Sequence, residues 1–371
     1  MATQFINPFI NILQAGLPTP EAFGQAAYTT FQYGKSAISL AHKTVGDRIV
    51  DWFLGDQRPA TQRLSRELLQ TLQKRQQDLL EEDWQDAQAG LYPETLLFET
   101  AWDDVVRYYP QVWIDWLTVV ERRRNQEKHT FAPEVDRDRY PAYYLQNFHY
   151  QTDGYLSEQS ANLYDLQVEI LFNGAANPMR RRILKPLKQG IGAEFEAIAP
   201  ADLKILDVAC GTGYTLQALR ATFPQAALYG VDLSPAYLRK ANQILSAQPG
   251  ELPQLIQAPA EALPYQDNYF HGLTSVFLFH ELPGSVRREA IAEMFRVLKP
   301  GGTVVLCDSV QMMDIEGFGP MLENFPALFH EPYYRHYCQD DLVAHLEQAG
   351  FTNVTTTTHH VSKYWLAHKP S

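Results

Sequence analysis

Lys204-Ile205-Leu206-Asp207-Val208-Ala209-Cys210-Gly211-Thr212-Gly213-Tyr214 is the stretch on which the fold turns. Ile205, Leu206 and Val208 suit a buried strand. Gly211 and Gly213 make a tight turn in which no Cβ keeps a ligand from the backbone. The chain then opens a helix whose first N–H groups have no partner within it. Leu216, Leu219 and Phe223 recur at helical spacing and give that helix a face to lay on a sheet.

Residues 226–232 read as a second strand ending on Asp232. The acid follows the glycine turn at about the distance at which dinucleotide folds place the group that accepts ribose hydroxyls. A capping role shared with Ser234, just before Pro235, is equally open to it and compatible with the first. Beyond it, Tyr237, Ala241 and Leu245 mark a helix, residues 253–258 a third strand and residues 272–279 a fourth. Ile291, Met294, Phe295 and Leu298 mark the next helix. Lys299-Pro300-Gly301-Gly302 turns the chain into a fifth strand at residues 303–307. Asp340 or Asp341 can cap a helix that stops at Gly350. Residues 351–356 and 361–367 close the set. Strands alternating with helices predict an α/β, Rossmann-like, seven-stranded and mostly parallel sheet over residues 196–371.

Residues 1–130 read as a helical N-terminal domain. Val45, Ile49, Trp52 and Phe53 share a helix face, and Leu64, Leu68, Leu72, Leu79 and Leu80 mark a second amphipathic helix. Trp102, Val105 and Val106, then Trp113, Trp116, Leu117 and Val120 after Pro110, mark a third. Helical spacing assigns these tryptophans to a core. The segment from Phe23 to His42 is mildly amphipathic, which leaves room for peripheral contact with a membrane, although packing on its own domain accounts for it. The runs Arg122-Arg123-Arg124 and Arg180-Arg181-Arg182 read as solvated helix faces. Residues 131–195 read as an aromatic-rich helical cap or linker. Between Tyr140 and Met179, rings alternate with hydrogen-bonding groups, among them Tyr143, Tyr144, His149, Tyr155 and Tyr164. That pattern suits either a small-molecule pocket or a polar-decorated hairpin covering the sheet.

The chain has 371 residues, 45% of them hydrophobic, enough for two domains with full cores. Its formal net charge of -12 argues against a nucleic-acid partner. Three cysteines suggest no disulfide framework and fit a reducing, cytoplasmic setting. No apolar run is long enough to span a bilayer, and the N-terminus lacks a secretory pattern.

Four segments of the C-terminal half together resemble the class I S-adenosylmethionine-dependent methyltransferases, in the small-molecule branch that includes the ubiquinone and menaquinone enzymes. They are the motif from Asp207 to Gly213, the acid Asp232, Ala260-Glu261-Ala262-Leu263-Pro264, and Leu298-Lys299-Pro300-Gly301-Gly302. The resemblance implies S-adenosylmethionine as cofactor, held by Asp207, Ala209, Cys210, Gly211, Gly213, Tyr214, Asp232, Leu233, Ala260, Glu261 and Phe277. Two positions depart from the family pattern. Ala209 replaces a first glycine. Pro259 replaces an acid that binds the adenine amino group, which leaves the base to the backbone of Ala260, to Glu261 or to packing. A dinucleotide would suit the same turn and acid, but Leu216 stands where NAD folds have a third glycine.

Methyl transfer needs the two reactants aligned and desolvated, and a hydroxyl or acidic-carbon acceptor must lose a proton. His280, just past the fourth strand, has an ordinary pKa suited to that work. Glu281 and His149 join it as catalytic candidates, and a structural role for His280 competes with the catalytic one. Tyr155, His330, Tyr333 and Tyr334 are the candidates for binding the acceptor. The His and Glu content also raises a metal, but no ligand spacing supports one, so no metal is expected. The predicted function is methyl transfer to a small aromatic or lipophilic acceptor. A protein or RNA methyltransferase and a non-catalytic binder of the same donor are the competing readings.

Overall fold

A computed structural model describes residues 20–54, 61–99 and 102–371 of the chain. Three long helices come first: α1 (Pro20–Leu54), α2 (Arg66–Gln88) and α3 (Trp102–Asn125). Ser65 caps α2 by accepting the Leu68 N–H, and α3 runs on through Pro110. A loop region leads to α4 (Glu158–Leu171), α5 (Ala176–Arg181) and α6 (Leu184–Phe195). The alternating part follows: β1 (Lys204–Val208), α7 (Tyr214–Thr222), β2 (Ala227–Asp232), α8 (Pro235–Ser246), β3 (Gln254–Gln257), β4 (Phe270–Val276), α9 (Gly284–Val297) and β5 (Leu298–Ser309). Then come α10 (Gly319–Leu328), α11 (Tyr334–Tyr337), α12 (Leu342–Ala349), β6 (Thr352–His359) and β7 (Ser362–His368).

The seven strands form one sheet in the order β3-β2-β1-β4-β5-β7-β6. The first five pair in parallel, and β7 runs antiparallel to both β5 and β6. Strand order reverses between β1 and β4, and a ligand crevice lies outside the carboxyl ends of the strands at such a point. Apolar side chains cover both faces. Leu206, Leu273, Met294, Val304 and Trp365 belong to one core, and Ile205, Leu216, Leu187, Val305 and Tyr364 to the other.

Two details of the α/β half differ from the sequence expectation, and a third chooses between the two caps it offered. β4 ends at Val276 rather than Phe279, because Phe277 takes a positive φ of 60° and residues Phe279–Glu281 make a single 3₁₀ turn. The Lys299–Gly302 turn lies inside β5, where a register shift opposite Phe270 and Gly272 absorbs it. Asp341, not Asp340, caps α12, by accepting the Ala344 N–H at 3.0 Å.

The helical half departs further. Both arginine runs were read as solvated, yet Arg122, Arg180, Arg181 and Arg182 are all buried. Arg181 pairs with the fully buried Asp83 through two N–H donors, and Tyr92 also donates to that carboxylate. Arg182 pairs with Asp86, and Arg122 donates to the Tyr150 carbonyl and to Thr152. The partners explain the burial: a guanidinium enters a protein interior when carboxylates and carbonyls satisfy its fork of donors. Val45, Val106 and Leu117 were expected to face a core but are exposed, with Val106 at 78%. Trp113 and Trp116 are half-buried, and Trp113 lies against His42 with ring centroids 4.1 Å apart. The side chains of Ile49, Trp52, Phe53 and Trp102 lie outside the described residues. No helix among the described residues is long and apolar enough to cross a membrane.

Candidate functional site

The carboxyl ends of β1, β2 and β4 converge on a cleft lined by Ala209, Gly211, Asp232, Leu233, Ala260, Phe277 and Glu281 on the sheet side. Tyr143, Tyr144, Tyr155, Tyr164 and Tyr237 close it from the side of the helices. Ala209 and Gly211 both take positive φ, at 58° and 53°. A Cβ on Gly211 would point into open space, so the backbone faces the cleft unshielded. Gly213, at φ 92°, ends the turn and starts α7.

Asp232 holds the loop in place. Its Oδ2 accepts the Gly211 N–H at 2.9 Å and its Oδ1 the Ser234 N–H at 2.8 Å. Ser234 itself caps α8 by accepting the Tyr237 N–H. Ser234 therefore caps the helix, and the Asp232 carboxylate lines the cleft. Burial pushes its carboxyl up to about 6. Asp207 sits behind the loop. Its Oδ1 accepts from Thr274 at 2.8 Å, its Oδ2 is buried with no partner, and burial pushes it up to about 7.

The other sequence candidates on this side fall into two groups. Cys210 is buried with its sulfur turned toward Gly230, away from the cleft, so only its backbone faces the loop. Tyr214 lines a separate cavity with Asp165 and Arg180, whose charged ends lie 3.7 Å apart. Glu261 accepts the Tyr143 hydroxyl at 2.6 Å and so stands behind a ring of the cleft wall.

A second cavity of about 530 Å³ lies between the helices and the sheet. Leu40, Leu69, Leu72, Val168, Phe172 and Phe325 supply an apolar lining, and His149, His280, Glu281 and Tyr334 stand at its polar end. Tyr164, Phe277 and Glu281 line both chambers and so form the wall between them.

The turn that carries His280 and Glu281 is fixed from beneath. Asp308, at the end of β5, accepts the Phe279 N–H at 2.7 Å and meets His280 Nδ1 at 2.7 Å. Arg287, fully buried, donates to the carbonyls of Phe279 and Leu282. Burial works against a charged His280, but the Asp308 charge and hydrogen bond outweigh it and push its pKa up to about 10. The ring is therefore a cation at neutral pH. This differs from the sequence expectation, which rested on an ordinary imidazole pKa.

His149 lies between two acids. Its Nδ1 is 3.0 Å from Glu331 and its Nε2 3.8 Å from Glu281. Its pKa is raised: burial lowers it, but the Glu331 charge and the Glu281 hydrogen bond outweigh that. Burial pushes Glu331 up to about 7. Tyr155 donates to Glu281 and stacks on Phe148 at 5.3 Å.

The acceptor-binding candidates separate. Tyr334 lines the large cavity and shares a hydrogen bond with Ser309, whereas Tyr155 lines the cleft. His330 and Tyr333 line neither chamber. His330 meets Gln146, and its carbonyl accepts the His149 N–H at 3.1 Å; burial pulls its own pKa down to about 4, so it acts as a neutral brace between loops. Tyr333 donates to the Tyr143 carbonyl from a half-exposed position. Sequence reading singled out neither Asp308 nor Arg180 for a role in the site, and it assigned none to Tyr237. Their partners lie far along the chain, and no local pattern marks them.

A methyltransferase domain model matches residues 205–302. The chain is 31% identical to the demethylmenaquinone methyltransferase of Staphylococcus aureus (strain JH9) over 170 residues, 41% of this chain and 68% of that protein. It is 29% identical to that of Anoxybacillus flavithermus over 187 residues, 45% of this chain and 78% of that protein. Against the ubiquinone/menaquinone biosynthesis C-methyltransferase UbiE of Geobacter sulfurreducens it is 32% identical over 148 residues, and there it spans about half of the relative, 53%. The solved phosphoethanolamine N-methyltransferase 2 of Haemonchus contortus, in complex with S-adenosyl-L-methionine, is 15% identical with a TM-score of 0.40, covering 51% of this chain and 52% of that one. The chain belongs to the S-adenosylmethionine-dependent methyltransferases. S-adenosylmethionine is its cofactor, and the cleft suits it: open space lies over Gly211, the Asp232 carboxylate lines the wall, and a buried oxygen of Asp207 stands without a partner behind the glycine loop.

Proposed function

We propose that the protein transfers a methyl group to a small lipophilic, ring-bearing acceptor held in the 530 Å³ cavity. The observation that carries this reading is the wall of Tyr164, Phe277 and Glu281 shared by that cavity and the cleft over the glycine loop. An acceptor seated among Leu72, Val168, Phe172 and Phe325 reaches the cleft at the His149–Glu281–His280 cluster. The similar proteins, demethylmenaquinone methyltransferases and a ubiquinone/menaquinone biosynthesis C-methyltransferase, support an acceptor of this kind.

In this reading Asp232 accepts the ribose hydroxyls, and the backbone of Gly211 and Gly213 faces the donor. Leu233 and Ala260 flank the base, where Pro259 offers no N–H. Asp165 and Arg180, beside Tyr214, offer opposite charges to the amino-acid end. The bound donor supplies a methyl carbon on a positively charged sulfur, a good leaving group. The acceptor's oxygen or acidic carbon bonds to that carbon as the carbon–sulfur bond breaks, and the electron pair stays on sulfur. The acceptor's proton leaves to solvent through the cavity, and the charged His280 at its polar end faces the anion that remains. The protein's share is alignment and the exclusion of water, which tyrosines on one side and aliphatic residues on the other provide.

The test uses methyl-labelled S-adenosylmethionine with the full chain and a lipophilic small-molecule extract, followed by mass spectrometry. A labelled, ring-bearing, hydroxylated or oxo product is expected. Calorimetric binding of the donor with label appearing only in protein or RNA would overturn the reading.

A further inference from the structure

We propose that His149, Glu281 and Glu331 form a binding site for one first-row transition-metal dication at the inner end of the large cavity. The inference rests on the acceptor-pocket reading above and deepens it, because it names what would grip the acceptor's oxygen.

Three separate loops bring these side chains together. One ligand atom from each lies within 4.8 Å of the others, a spread that a metal centre closes by small side-chain rotations. A second observation points to a ligand. The Glu331 side chain is fully buried, and neither of its oxygens makes a hydrogen bond, although Oε1 stands 3.0 Å from His149 Nδ1. The pair with His149 leaves most of the lone pairs of that buried carboxylate unmet, and a bound cation shared with His149 and Glu281 would satisfy them. The Phe325 and Phe329 rings sit edge-on to His149 at 6.0 and 5.7 Å, so the surroundings are apolar and the electrostatics strong.

One imidazole and two carboxylates are borderline-to-hard ligands, which suit manganese, iron or zinc better than a thiolate-seeking ion. Calcium would demand six or more oxygens. The Tyr155 hydroxyl, donating to Glu281, orients that carboxylate from outside, as partners of metal ligands do. Three protein ligands leave positions open. His149 and Glu281 line the cavity, so those positions face it. An acceptor carrying a phenolic or enolic hydroxyl would coordinate there through oxygen. The metal would lower the pKa of that hydroxyl, and the proton would leave to solvent through the cavity mouth, where Leu40 and Leu69 are exposed. The acceptor then meets the methyl carbon as an anion already in place.

The experiment is a titration of chelator-treated full-length protein with Co2+, followed by visible absorption and calorimetry, with S-adenosylmethionine affinity measured in parallel on every variant. One equivalent of Co2+ is expected to bind and to give the absorption of a low-coordinate site. Glu331→Gln and His149→Asn are each expected to weaken it about tenfold or more while donor affinity holds. Intact donor binding certifies the fold, so loss of Co2+ affinity then reports the ligand. No Co2+ binding by the wild type, or an affinity unchanged in both variants, overturns the site. The two readings separate cleanly. Labelled lipophilic product from metal-free enzyme at full rate would sink the metal site and keep the acceptor pocket. Stoichiometric Co2+ binding with no such product would do the reverse.

Discussion

The two ends of this molecule's functional region are built by different means. The end over the glycine loop is local. Residues 204–234 supply the strand, the turn, the acid and the cap within one continuous stretch, and the decisive contacts are backbone N–H groups on Asp232. The end toward the helices is assembled from afar. His149, Glu281 and Glu331 come from three loops, and α2, which walls the cavity, is tied to α5 by the Arg181–Asp83 pair, 98 positions apart. A local device is set by chain geometry. A distant one is set by charge pairing in low dielectric and needs every partner present.

The sharpest way to break that contrast is Asp83→Ala. It strands the Arg181 guanidinium and the Tyr28 hydroxyl, both of which donate to the Asp83 carboxylate, and loss of about 3–5 kcal/mol is expected. Chemical denaturation measures it, and at a denaturant concentration where the variant stays folded the donor should bind as before. Weakened donor binding there would mean that the helical half shapes the glycine loop as well. Next in size, Gly211→Val imposes a side chain at φ 53° and fills the space over the loop, so donor affinity should fall on the order of 100-fold, by calorimetry, while backbone strain of about 1–3 kcal/mol lowers the melting temperature by a few degrees.

A pH series sharpens the same comparison on the local side. The Asp232 pKa is raised to about 6, so the carboxylate takes up a proton as pH drops through that value. Donor affinity should be flat above it and fall about tenfold by one unit below it. Asp232→Asn should remove the dependence. The smallest effect belongs to the distant side. Val168→Phe shrinks the apolar cavity and should raise the acceptor's KM about tenfold or less while donor affinity holds.

How much of this could be read in advance follows the same division. The sheet, its order of strands and helices, and the glycine turn after the first strand were legible, because Ile205, Leu206, Val208, Gly211 and Asp232 carry their meaning within a few residues. Arg180 to Arg182 were misread because a charge run looks solvated until its acids are found, and Asp83 and Asp86 lie on another helix. His280 drew attention, but its partner Asp308 is 28 positions away, and that partner sets its charge. No spacing rule joins His149 to Glu331. Only the fold sets their distance.

Glu281 sits in the partition between the two chambers. A single carboxylate with a face in each cannot respond to one occupant alone: a charge entering the first alters the pull felt in the second.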